Sequence, residues 1–144
     1  MTEITTNYHD LQAPKRPFGV WLLTIYALIF AGIAPLLLSI FMLISGNSAG
    51  NTIGIFLSIA LSIGIIKSTI GAWQGKEKFR KYLLILITIN YVFIGLNNYL
   101  MINSGQVPSD LQNQVWGRVI RGILYPAVYI WYFNKFTTKK FYNP

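Results

Sequence analysis

Four apolar stretches separated by short polar connections set out this chain. The first covers about 19–45 without a charged residue. At about 1.5 Å of rise per residue it exceeds a ~30 Å hydrocarbon core, so it must tilt, kink or protrude. Pro35 near its middle removes a backbone donor and weakens the turn containing Ala31, and Gly32 beside that turn eases a kink. The second stretch, about 52–73, repeats small residues at Ala60, Gly64, Ser68 and Ala72, with Gly54, Ser58 and Ser62 on an adjacent row. Small residues let helix backbones approach closely in lipid, which predicts a central packing helix. The third stretch covers about 82–102. The fourth is predicted to start near Asp110, because Ser109 and Gln112 have capping-box spacing, and to run to about 134. The pattern predicts an all-α membrane protein: a bundle of four transmembrane helices over 18–134, between a polar tail at 1–17 and a basic, aromatic tail at 135–144.

Charge gives that bundle a direction. Lys15 and Arg16 precede the first stretch, Lys76, Lys78, Arg80 and Lys81 fill the middle turn, and Lys135, Lys139 and Lys140 follow the fourth. The other two connections carry no lysine or arginine. The positive-inside bias therefore predicts that the N- and C-termini and the middle turn are cytoplasmic. Trp21, Trp73, Tyr82, Trp131 and Tyr132 then fall near the inner interface, and Tyr99 and Trp116 near the outer one.

Composition agrees with the membrane class, since 53% of the 144 residues are hydrophobic and only 11% charged. The net charge of +8 flanks apolar stretches and forms no long basic stripe, so it reads as orientation and not as nucleic-acid binding. The chain has no cysteine, which excludes disulfides and thiolate metal sites, and its single histidine, His9, lies in the polar tail, which excludes bis-histidine haem ligation by this chain. No cofactor or metal is expected. The first sixteen residues are too polar for a signal sequence, and the stretch that follows is too long, so none is expected to be cleaved.

Three passages carry a likeness: Lys15-Arg16-Pro17-Phe18-Gly19-Val20 leading into the first stretch, Gly71-Ala72-Trp73-Gln74-Gly75-Lys76, and Trp131-Tyr132-Phe133 before the basic tail. In these the chain resembles small uncharacterised four-helix membrane proteins of bacteria. The resemblance implies a multi-pass protein of the bacterial inner membrane and brings no catalytic residue with it.

The candidate chemistry lies where the bilayer should be. Lys67, Arg118 and Arg121 fall inside the predicted hydrocarbon region, and no acidic residue does, since the helix start near Asp110 lies outside the bilayer. A charge near the bilayer centre costs at least about 2.5 kcal/mol, so such residues find a partner, a wet cavity or the interface. Arg118, Arg121, Tyr125, Tyr129 and Tyr132 recur at steps of three or four, which gives the fourth helix one polar face. Depth counting puts Arg121 level with Asn97 and Asn98, and Tyr125 level with Asn90, predicting a polar seam between the third and fourth helices. The plainer readings are that Arg118 and Lys67 snorkel to the head groups, and that the asparagines and tyrosines bind helices together.

Enzyme chemistry finds no footing. The predicted hydrocarbon region holds no Asp or Glu for acid–base work, no Ser–His pair and no His, Cys or carboxylate cluster. The expectation is a non-catalytic membrane subunit or scaffold that packs with a partner protein, with a second copy, or with anionic lipid head groups. The alternative is a small oligomeric transporter or channel for an anionic or amphipathic solute.

Overall fold

A computed structural model describes residues 16–46 and 52–142. Nearly all of the polar N-terminal tail, His9 included, and most of the first connection lie outside the described residues. The described chain is helical: α1 (Phe18–Ile44), α2 (Thr52–Trp73), α3 (Glu77–Asn103), α4 (Gln112–Asn134) and the short α5 (Phe136–Tyr142). The first three of these are long and apolar enough to cross a membrane. Only 22–28% of the residues in their most apolar stretches are buried inside the molecule, so most of each helix needs a cover from outside. Phe41, Ile53, Ile123 and Trp131 are among the large apolar side chains on that perimeter. In water such a surface would drive aggregation, whereas in lipid it is the favoured one.

Helix α1 bears out the local prediction at Pro35 in a particular form. Residues Ala27–Ile33 are wound as a π-helix, and the Ala34 amide donates to the carbonyl of Ile29, five residues back. Proline cannot close the ordinary bond to Ala31, and the wider turn takes up the mismatch. Below it, Phe18–Tyr26 packs on α2 and also touches α4, where Gly19 allows the Tyr132 ring against the α1 backbone. Above it, Ala34–Ile44 packs on α2, where the Ser39 hydroxyl donates to Ser58 at 2.9 Å.

Helix α2 lies between α1 and α3, and its small residues serve both sides. Gly64 faces Leu86 and Gly71 faces Phe79 on α3, while Ile66 fills the space left by Gly32 on α1. The closest backbone contact nevertheless belongs to α3 and α4. A Cβ built on Gly122 would lie 2.9 Å from the Gly95 Cα and 2.9 Å from the Tyr91 carbonyl oxygen. Pro126, four residues on and buried, leaves the Gly122 carbonyl without its usual intrahelical donor.

Two boundaries differ from the sequence reading. Helix α3 begins at Glu77, so Lys78, Arg80 and Lys81 belong to its first turns, and the connection shrinks to Gln74–Lys76. Gly75, at φ +79°, ends α2, and Glu77 supplies the negative charge that a helix N-terminus favours. Helix α4 begins at Gln112 without a side-chain cap, because its N-cap position falls on Leu111, which has no polar side-chain atom, after a turn closed by the Leu111 amide on the Pro108 carbonyl. Ser109 therefore forms no capping box.

Candidate functional site

The column of α4 that meets α1 starts at Tyr132, against Gly19, and continues through Tyr125, whose ring lies 5.7 Å from that of Tyr26. One and two turns further along the same column stand Arg121 and Arg118. At that height α1 packs chiefly on α2; Tyr26 of α1 lies within electrostatic reach of Arg121, and both arginines are exposed. Among the described residues every ion pair is made to Glu77, and neither arginine has an ion pair or a hydrogen bond. Asp110 is the one other described acid, and it stands in the turn before α4. The antiparallel contact of Gly95 with Gly122 puts Arg121 near the level of Leu96, about 10 Å from the α3 terminus at Asn103.

The residues expected to form a seam between α3 and α4 are not brought together there; glycines hold that junction. Tyr125 and Tyr91 rings stand 5.1 Å apart in an edge contact, and Tyr26 completes an aromatic group drawn from α1, α3 and α4. Tyr129 is buried and donates to the Leu23 carbonyl of α1 at 2.8 Å. The Asn98 amide turns back onto the Ile94 carbonyl of its own helix at 2.7 Å. Asn97 lines a cavity of about 310 Å³ with Pro35, Ser39 and Ser58, and so belongs to the α1–α2 side. The Asn90 amide nitrogen is buried without a hydrogen-bond partner. Depth counting fixes height on a helix but not azimuth, and the azimuths differ. Because Tyr129 ties α4 to α1, Tyr129→Phe is expected to lower stability by about 1 kcal/mol in a detergent unfolding titration while keeping the ring packing.

Lys67 is exposed on α2 and opens on a groove between α2 and α3 that also holds Lys78. It has no ion pair among the described residues.

Arg80 is the polar group that the sequence reading counted only as an orienting charge. Its side chain is buried, and it makes paired bonds to Glu77, Nε to Oε2 and Nη2 to Oε1, both at 2.6 Å. Its Nη1 donates to the Phe133 carbonyl at 2.6 Å and to Asn134 Oδ1 at 3.3 Å, at the last turn of α4. The guanidinium also lies 5.6 Å from the Tyr142 ring of α5, whose phenol burial pushes above its ordinary pKa. One cation thus joins the start of α3, the end of α4 and α5, and it meets the negative end of the α4 dipole. The available signal was that Glu77 is the single acid between Asp10 and Asp110, three residues before an arginine.

The described residues contain no cluster of His, Cys, Asp or Glu that could hold a metal ion. Comparison with known families, with curated proteins and with solved structures gives no match. The likeness to small bacterial four-helix membrane proteins accordingly rests on its three short motifs.

Proposed function

We propose that this chain is a non-catalytic, four-span subunit of the bacterial inner membrane that docks an anionic group supplied from outside the chain on Arg118 and Arg121 of α4. The observation that carries this reading is the exposed arginine pair, which makes no ion pair or hydrogen bond among the described residues and stands on the α4 column beyond the Tyr125–Tyr26 contact. At 23 residues α4 is long enough to span, and it packs along α3 and against the first part of α1, both of them helices apolar enough to cross a membrane. Two aromatic groupings support the orientation. Trp21 and Trp73 pair at 6.4 Å near the lysine-rich end, and Tyr99 and Trp116 pair at 6.2 Å at the end whose described connections lack lysine and arginine. Desolvated arginines favour bidentate carboxylate or phosphate partners, which makes an acidic residue on a partner helix or an anionic lipid head group the matching chemistry.

Native mass spectrometry from mild detergent tests this. The wild-type chain is expected to carry a defined protein partner or an anionic lipid that R118L/R121L loses, with the self-association state unchanged. A bound complement identical in the two proteins would end the arginine-docking reading. A labelled anion moved by the purified, reconstituted chain and stopped by R121L would replace docking with transport.

A further inference from the structure

The other end of the bundle holds a second basic site, assembled from two helices. Between α2 and α3 runs a groove of about 450 Å³ whose lining includes Lys67 and Ser68 from α2 and Lys78 and Tyr82 from α3. Deeper along the same groove the walls turn apolar, at Ile85 and Leu86. Gly64 keeps this part open, since a Cβ there would sit 3.1 Å from Leu86 Cδ1. Lys67 lies six residues before the end of α2, about 9 Å in from it. Lys78 stands in the first turn of α3 but leans inward, its Nζ 5.8 Å from the Tyr82 ring one turn further along. No carboxylate lines the groove, and Glu77 beside it is occupied by Arg80 and Lys81.

We infer that this groove is a binding site for an anionic glycerophospholipid of the leaflet at the lysine-rich end. The phosphate lies between Lys67 and Lys78, and one acyl chain runs along Gly64, Ile85 and Leu86. The polarity gradient selects this occupant. Two lysines lining the groove match a phosphodiester with net negative charge, and the apolar deep end matches hydrocarbon. A partner helix would need a carboxylate at the depth of Lys67 and a slim face to fit against Gly64. A lipid supplies both features from the bilayer that already surrounds the groove. A lysine held at a built anion site also explains its place in an apolar helix without an internal acid. The inference rests on the membrane-spanning reading above, but not on the arginine pair of α4.

The experiment uses the full chain, purified in detergent, stripped of lipid and titrated with phosphatidylglycerol or phosphatidylcholine under native mass spectrometry. Wild type is expected to retain phosphatidylglycerol over phosphatidylcholine, and K67Q/K78Q to weaken that retention about tenfold or more. K67R/K78R should keep it, because charge and not lysine geometry is required. R118L/R121L should also keep it, which separates failure here from failure of the docking reading. Ile85→Trp, at an exposed groove position, blocks the deep end without removing charge and should reduce retention if the charge variant does not fold. Equal retention by wild type and K67Q/K78Q, or by wild type and Ile85→Trp, overturns the site. Equal uptake of the two lipids overturns its charge selectivity, and displacement of the lipid by millimolar inorganic phosphate overturns the lipid in favour of a free anion.

Discussion

Arg80→Leu is expected to destabilise the bundle by about 3 kcal/mol or more, the largest loss for a single charged residue in this chain. The size follows from what the side chain leaves behind. Glu77 would keep only the exposed Lys81, at 3.6 Å, a contact of the kind worth little in solvent. The Phe133 carbonyl would lose its charged donor at the negative end of α4, and Asn134 its contact. Removing one partner of a buried pair is costly mainly because the other stays behind uncompensated. The double variant E77Q/R80L should therefore recover part of the loss, although the α4 carbonyl remains without its donor. Reversible unfolding in mixed micelles, followed by circular dichroism with increasing denaturing detergent, measures all three proteins. A loss under about 1 kcal/mol for Arg80→Leu would mean that Arg80 behaves as a surface residue and that the α3–α4–α5 junction is held by packing. The buried geometry further predicts that the effect changes little between low and high salt.

Gly122→Leu is expected to prevent α3 and α4 from closing, and with it the native bundle. The obstacle is backbone on both sides, the Gly95 Cα and the Tyr91 carbonyl, each 2.9 Å from the first added carbon. Backbone cannot turn away as a side-chain tip does, so even Gly122→Ala should cost about 1–3 kcal/mol despite the better helix propensity of alanine. The reverse substitution gives the control. A Cβ on Gly95 comes no closer than 3.4 Å to Gly122, an ordinary contact, so Gly95→Ala should be neutral or slightly stabilising. The same unfolding titration applied to both alanine variants reads this asymmetry directly. Equal tolerance of alanine at the two positions would show that the helices do not meet at this glycine pair.

The helices were legible because their signals are local. A predominantly apolar run about 20 residues long can satisfy its backbone in lipid only as a helix, so α1 and α2 fall close to their expected bounds without reference to anything else. Pro35 was legible for the same reason, since a missing N–H disturbs its own turn whatever packs nearby. The start of α3 was harder, because the lysines and arginine of 76–81 read as a turn by charge, while Gly75 and Glu77 read as a stop and a start by backbone preference. The backbone preference decided it. Pro126 illustrates the opposite difficulty: its sequence neighbourhood is ordinary helix, and its effect on the Gly122 carbonyl matters only where α3 approaches.

The candidate residues divide along the same line. Arg118 and Arg121 stand exposed on one side of α4, as residues spaced by three must, and their lack of an internal acid follows from counting carboxylates. Which helix faces that side could not be counted, because it depends on how α1 packs along α2 and α4. Asn97 and Tyr129 were placed at sensible depths, yet one turns to the α1–α2 side and the other to the Leu23 carbonyl.

By itself, the sequence determined the helical plan, the gathering of basic residues at one end and the want of a carboxylate beside Lys67, Arg118 and Arg121, because these depend on hydropathy, turn chemistry and composition along the chain. Tertiary structure alone decided that Arg80 is a buried junction and not a free charge, that α3 and α4 make their closest backbone approach at Gly95 and Gly122, and that Lys67 and Lys78 share one groove. Each of those facts is an azimuth between helices distant in sequence, and azimuth is set by the closest packing the whole bundle allows.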